Sequence, residues 1–242
     1  MLLRYFCVPY TDDKRMIYAK NFLEKKGFLP MDNTESADFV LLPVPVKKQM
    51  LEKLNGKLAF YGMGDYENGY DYMKNENYVL KNAVLTAEGA VSYLEENTPY
   101  SLVSKKILII GYGRIAKALH KILSAYGADV TVCSRSEESH SLAVFNGAKH
   151  ILFEDLKSKN DFDIIINTVP HIVLTKQELR FVKKDAVILD LASFPGGVDT
   201  LVASSMGLKV LSGKAMPVRY TVETAGELIG EAVYNIIREE LT

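Results

Sequence analysis

The densest chemical signal in the sequence is Gly111-Tyr112-Gly113-Arg114-Ile115-Ala116, a GxGxxA run placed between an apolar strand-like stretch and an amphipathic helix-like one. In that context Gly111 permits a tight turn, Gly113 lets a diphosphate approach the backbone, and Ala116 allows helix and strand to pack closely. The N–H groups that open a helix lack intrahelical partners and favour an anion. The implied chemistry is dinucleotide binding through Gly111, Tyr112, Gly113, Arg114 and Ile115; a glycine turn that holds nothing is the competing reading. The next strand-like run ends in Cys133-Ser134-Arg135-Ser136, with no acid until Glu137. NAD sites usually place Asp or Glu here to accept from the ribose hydroxyls. Arg135 instead offers a charge-assisted partner for a 2′-phosphate, and Ser134 and Ser136 offer hydroxyl donors. This predicts NADP in preference to NAD; if Arg135 is merely solvated, either cofactor binds.

Two further segments fall where such sheets bind ligands, outside the carboxyl ends of their strands. They are Asn167-Thr168-Val169-Pro170 and Ala192-Ser193-Phe194-Pro195-Gly196-Gly197. Thr168, Val169, Pro170, Ala192 and Ser193 are therefore expected at the nicotinamide half. The Pro-Gly-Gly turn either offers N–H groups to a carboxylate or is only a turn. His171 follows directly and reads as incidental, so no general base and no catalytic residue is assigned. Cys7 and Cys133 lie in apolar runs, with neither a disulfide framework nor metal-ligand spacing.

The elements that must position these residues are legible as alternating apolar and helical patterns. From Lys106 they run strand Ile107–Ile110, helix Arg114–Tyr126, then strands Asp129–Cys133, Ala148–Leu152, Asp163–Asn167, Ala186–Leu191 and Leu208–Leu211. Strands and helices of these lengths predict a doubly wound parallel sheet, a Rossmann domain over 104–215. Upstream, strands Leu3–Val8, Ala37–Pro43 and Leu58–Tyr61 alternate with a helix capped by Asp12 and closed by Gly27, and with a short helix Lys47–Leu54. This predicts a second, smaller, flavodoxin-like α/β domain that would carry substrate, residues 1–103 with a linker helix. Residues 62–78 have no period and read as a loop or lid. Thr86–Glu95 reads as a helix N-capped by Thr86. A final helix from near Thr221 to about Glu239 carries an apolar stripe and is expected to pack across the domains as residues 216–242. Its Thr224-Ala225-Gly226-Glu227 fits a capping box that would start it at Ala225.

The 242 residues carry a net charge of −1, which gives no nucleic-acid footprint. No apolar run approaches the roughly 20 residues that span a bilayer, and Met1-Leu2-Leu3-Arg4 lacks a signal-peptide pattern. A soluble cytoplasmic protein is expected.

Several segments in order along the chain carry a resemblance to a known family. They are Leu42-Pro43-Val44-Pro45, Leu85-Thr86-Ala87-Glu88-Gly89-Ala90, Gly111-Tyr112-Gly113-Arg114, Ile166-Asn167-Thr168-Val169-Pro170, Leu189-Asp190-Leu191-Ala192-Ser193 with Pro195-Gly196-Gly197, and Thr224-Ala225-Gly226. The sequence resembles the A subunits of dipicolinate synthase. The resemblance implies an NADP-dependent dehydrogenase that oxidises dihydrodipicolinate to dipicolinate during sporulation, a homo-oligomer, and a flavoprotein-like second subunit. The dicarboxylate substrate needs cations or N–H donors, for which Arg219, Lys214, Ser193 and the N-terminus of the Thr86 helix are candidates. The chain departs from the family in a shortened first domain, in Phe194 where an arginine is expected, and in Ala215-Met216-Pro217-Val218 where Gly-Leu-Pro-Gly is usual. These departures admit a non-catalytic NADP-binding sensor or interaction subunit. The D-2-hydroxyacid dehydrogenases share the architecture, but their arginine after the fifth strand and their His-Glu pair are missing.

Overall fold

The computed structural model describes residues 3–157 and 161–241. Contacts divide the chain into two units, one made of Met1–Leu85 with Pro217–Thr242 and the other of Thr86–Met216. The sequence pattern places the divide near residue 104; residues 86–103 instead cluster with the second unit.

The first unit contains β1 (Tyr5–Cys7), α1 (Arg15–Lys25), β2 (Leu29–Pro30), β3 (Phe39–Leu41), α2 (Lys48–Glu52), β4 (Leu58–Tyr61) and β5 (Gly69–Asp71). Its strands are all parallel, in the order β2-β1-β3-β4-β5. That is the flavodoxin-like order. Phe6, Phe39 and Phe60 are fully buried, with the Phe39 and Phe60 rings edge to face at 5.2 Å. Met16, Ala19 and Leu23 of α1 are buried at helical spacing, and Gly27 takes the left-handed φ of +95° that closes the helix. The expected cap at Asp12 is displaced. Asp13 accepts from the Arg15 backbone N–H at 3.1 Å and holds its guanidinium at 2.8–2.9 Å.

Residues 62–78 are not one loop. They contain β5, a tight turn of helix at Tyr72–Lys74, and the start of α3 (Glu76–Asn97). Asp71 caps the turn by accepting from the Met73 N–H at 2.9 Å. Tyr72 and Tyr78 are buried, and Tyr72 donates to the Leu42 carbonyl at 3.0 Å, so these tyrosines are core rather than ligand contacts. Thr86 lies inside the 22-residue α3 and is not an N-cap. A cap there would require a helix start that the continuous apolar pattern of α3 does not provide, so no helix N-terminus at Thr86 is available to hold a carboxylate.

The second unit contains β6 (Lys106–Ile110), α4 (Arg114–Ala125), β7 (Asp129–Ser134), α5 (Glu137–Phe145), β8 (Lys149–Leu152), β9 (Ile164–Asn167), α6 (Lys176–Leu179), β10 (Val187–Asp190), α7 (Thr200–Ser205) and β11 (Lys209–Ser212). The sheet order is β11-β10-β9-β6-β7-β8, all parallel. This is the doubly wound dinucleotide-binding order, with the crossover between β6 and β9. The central strands are buried on both faces, which is why Ile164, Ile165 and Ile166 run without a polar break.

The chain then forms α8 (Met216–Tyr220) and α9 (Val222–Glu240). The N-cap of α9 is Thr221, without a side-chain hydrogen bond, and the expected capping box at Thr224 does not form because helix already precedes it. The stripe predicted for this helix is buried within the first unit, against α1. Gly226 and Gly230 make that approach possible. A Cβ at Gly226 would stand 2.3 Å from the Arg15 carbonyl oxygen, and one at Gly230 would stand 2.8 Å from Phe22 Cβ.

Candidate functional site

The turn from β6 into α4 has the shape that a dinucleotide requires. Gly111 sits at φ +96°, and a Cβ there would lie 2.6 Å from Thr168 Oγ1 and 2.9 Å from Val169 Cγ2. Its N–H donates to the Cys133 carbonyl at 2.8 Å, which ties the turn to the end of β7. Gly113 is the N-cap of α4, with extended backbone and no side-chain cap. A Cβ at Gly113 would meet nothing within 4 Å, so the space over this helix start is open. Ala116 is fully buried where helix and strand meet. This open space at an uncapped helix N-terminus fits a diphosphate. Gly111, Gly113, Arg114 and Ile115 would hold it through the loop and first turn. Tyr112 is different: it is 6% exposed, and its ring centroid lies 6.2 Å from that of His120. Burial lowers the His120 pKa.

At the end of β7 the three expected phosphate ligands separate. Arg135 is exposed. Ser134 is buried, its hydroxyl 2.8 Å from His150 Nε2. Ser136 caps α5 by accepting from the Ser139 N–H at 3.2 Å and donates to the Ser139 hydroxyl at 2.8 Å. Both serine hydroxyls thus have internal partners, and of the three Arg135 and Ser136 are exposed.

The loops after β9 and β10 are built around two polar residues that the sequence pattern does not single out. Asn167 is fully buried. Its amide donates to Asp190 Oδ1 at 2.8 Å and to the Val169 carbonyl at 3.0 Å, and its Oδ1 accepts from the Val169 N–H at 3.2 Å. Asp190 also accepts from the Ala192 N–H at 3.2 Å and the Gly197 N–H at 2.9 Å. One buried amide and one carboxylate therefore hold Val169, Ala192 and the Pro-Gly-Gly turn together. A Cβ at Gly197 would stand 2.0 Å from Asn167 Nδ2. A signal for both is present in the sequence: each residue is the polar end of an otherwise apolar strand. Thr168 donates to the Ile110 carbonyl at 2.8 Å, so the loop after β9 is also fastened to β6. Pro170 and Ser193 are exposed at this edge, as is Phe194, at 87%. The Pro-Gly-Gly turn thus binds its own Asp190.

The substrate candidates fall in both units. Lys214 lines a cavity of about 430 Å³ with Asp190, Pro195, Gly196, Thr200 and Ser212. Arg219 belongs to the other unit, with its guanidinium 5.4 Å from the Tyr220 ring centroid. His171 is exposed, its N–H turned back to the Val169 carbonyl at 2.9 Å. Both cysteines are buried thiols, and burial, with Asp155 adding to it, pushes Cys133 up to about 12. Among the described residues no group of three or more His, Cys, Asp or Glu could hold a metal, and no helix is long and apolar enough to cross a membrane.

With this geometry in place, residues 77–193 match the family of the D-isomer specific 2-hydroxyacid dehydrogenase NAD binding domain. The matched segment, just under half of the chain, is similar to that nicotinamide dinucleotide-binding domain. It is also similar to the A subunit of dipicolinate synthase from Bacillus subtilis (strain 168), 28% identical over 167 residues. That match takes in 69% of this chain and 56% of the relative, little more than half its length. Two solved structures share the fold over nearly the whole chain. The A subunit of dipicolinate synthase from Bacillus subtilis superposes with a TM-score of 0.85 at 22% identity, covering 99% of this chain and 97% of that one. Its counterpart from Bacillus halodurans gives 0.86 at 19% identity, covering 98% of each. The dehydrogenase-family match ends at Ser193, so it takes in the glycine turn, the Arg135 segment and the Asn167–Asp190 pair.

Proposed function

We propose that this protein is an NADP-dependent dehydrogenase that oxidises a small cyclic dicarboxylate, dihydrodipicolinate, to dipicolinate. The observation that carries the reading is the pairing of an open glycine turn at Gly113 with a cation, Arg135, at the end of β7 where NAD enzymes usually hold an acid. When bound, the cofactor supplies a hydride acceptor; the substrate loses one hydride and one proton, and the ring becomes aromatic. Aromatisation supplies much of the driving force, so the task left to the chain is positioning. Gly111, Gly113, Arg114 and Ile115 hold the diphosphate, and Arg135 the 2′-phosphate. Thr168, Val169, Pro170, Ala192 and Ser193, on loops tied down by Asn167 and Asp190 at Val169, Ala192 and Gly197, flank the reacting ring. Lys214 supplies a cation for a substrate carboxylate. The test is NADP⁺ reduction by the purified protein on freshly generated dihydrodipicolinate, with and without a flavoprotein-like second subunit. NADPH and dipicolinate appearing together support the reading. Tight NADPH binding without turnover in either condition overturns it.

The second reading is a dinucleotide-binding sensor or interaction subunit without turnover. It is favoured by Phe194, 87% exposed at the position where the resemblance calls for arginine.

A further inference from the structure

Behind the Arg135 loop lies a chain of three polar side chains that the proposed dehydrogenase reaction leaves unused. Ser134 Oγ is 2.8 Å from His150 Nε2. His150 Nδ1 is 2.7 Å from His140 Nδ1, with the rings edge to face and their centroids 4.4 Å apart. His140 is the fourth residue of α5 and His150 the second of β8, and both are half-buried. A contact of this length between two ring nitrogens requires one proton between them, because two bare lone pairs repel and two N–H groups collide.

The proton count then follows. The neutral pair carries the shared proton and one more, on the Nε2 of whichever ring accepts. A third proton goes to the remaining bare Nε2 without breaking the Nδ1 contact. A fourth would have to break it. While the contact lasts the pair therefore holds at most one added proton, for a charge of 0 or +1. In keeping with this, His150 is held below the ordinary histidine value by burial first and by His140 second.

We propose that His140 and His150 form one titrating part of the adenosine-phosphate site, so that the protein takes up a proton when it binds a dinucleotide carrying a 2′-phosphate and not when it binds one lacking it. This rests on the NADP reading above. The pair is joined by hydrogen bond to Ser134, the residue before Arg135, and it lies under the first turns of α5, whose N-cap is Ser136. A phosphate held by Arg135 is a dianion or monoanion, and its field favours the charged form of the pair. The other ionisable groups on the surrounding elements are Glu137 and Glu138 at the start of α5, Asp129 and Lys149, which pair with each other at 2.6 Å, and Glu154, Asp155 and Lys157 after β8. The two glutamates oppose phosphate binding and favour the charged pair already in the free protein, so the uptake is read as a difference between the two dinucleotides.

The experiment is calorimetric titration of NADPH and of NADH in two buffers of different ionisation heat, from about pH 6 to about pH 8, where histidines titrate. It uses the wild type, the double variants His140→Gln/His150→Gln and His140→Gln/His150→Asn, and Arg135→Gln. The two double variants place different amides beside Ser134, so a folding defect in one does not stop the test. The wild type takes up a larger fraction of a proton with NADPH than the double histidine variants do, with no such difference for NADH. Its NADPH affinity gains roughly three- to ten-fold over the variants towards the acid end, as expected of a partly screened charge pair. The difference between proteins removes the titration of the ligand's own phosphate, whose pKa is near 6. Equal proton counts in wild type and histidine variants, with NADPH still favoured through Arg135, overturn this proposal alone. Equal affinity for NADPH and NADH, unmoved by Arg135→Gln, overturns it together with the NADP reading.

Discussion

Asp190→Ala removes a single carboxylate and should loosen two loops at once. In the wild type Asp190 accepts from the Asn167 amide, the Ala192 N–H and the Gly197 N–H. Hydrogen bonds to an ionised acceptor contribute about 1.5–3 kcal/mol each. Water can reach part of this half-buried site, so the combined loss is set at about 2–4 kcal/mol rather than the full sum. A difference of about 1.4 kcal/mol is tenfold in affinity; if most of the loss falls on ordering the nicotinamide-side loops, dinucleotide affinity should fall roughly 10- to 100-fold. Asp190→Asn is a partial rescue at best, since its amide oxygen in the Oδ1 place can accept from Asn167 and Ala192 but its N–H₂ then faces the Gly197 N–H. The assay is fluorescence titration with NADPH, together with hydrogen exchange at the Ala192 and Gly197 amides. Affinity within twofold of wild type, with both amides still protected, would show that the carboxylate does not organise the site.

The glycines separate folding from binding. Gly113→Ala adds a Cβ into open space, so thermal stability should change by under about 1 kcal/mol while dinucleotide affinity falls at least tenfold; equal affinity in titration would refute the cradle. Gly226→Ala drives a Cβ to 2.3 Å from the Arg15 carbonyl and should lower the melting temperature of the first unit through an α1–α9 clash of about 2 kcal/mol or more, read by calorimetry. Arg135→Asp should weaken NADPH about tenfold or more and NADH much less; equal losses would remove the assignment of Arg135. Cys133, held near 12 by burial, should resist alkylation at about pH 8 in the folded protein, and rapid labelling by mass spectrometry would contradict its burial. The depressed pKa of His150 means the unfolded chain binds the proton more readily. Its contribution to stability is therefore full above the unfolded value and is lost as pH falls through the folded one, which a pH series of denaturant melts can follow.

Much of this architecture was legible because its causes are local. The run Lys106–Ala116 encodes a buried strand, a turn that needs a positive φ at Gly111, and a helix, and these form together. The central strands appear as unbroken apolar runs because parallel sheets bury both faces. The end of each such strand was also legible, but not what its last residue does. Asn167 and Asp190 read as loop starts, and only the register of β9 beside β10, which pairs those two residues, brings amide and carboxylate together. Ser134 looked like a phosphate donor because of its position, yet alternation turns its side chain under α5 to His150, a partner 16 residues away that no short-range pattern reveals. Thr86 and the tyrosines of 62–78 misled for the opposite reason. Threonine beside an apolar run imitates a cap, and a Tyr-Asn-Gly-rich stretch imitates a loop, but Tyr72 and Tyr78 fill the core of the first unit and α3 runs straight through Thr86.

The most direct test of the account is a paired titration of the wild-type protein with NADPH and NADH at constant ionic strength. The account predicts binding of both, NADPH at least tenfold tighter, and loss of both in Gly113→Ala with the fold retained. Failure of either dinucleotide to bind the folded wild type, or binding unaffected by Gly113→Ala, would contradict it.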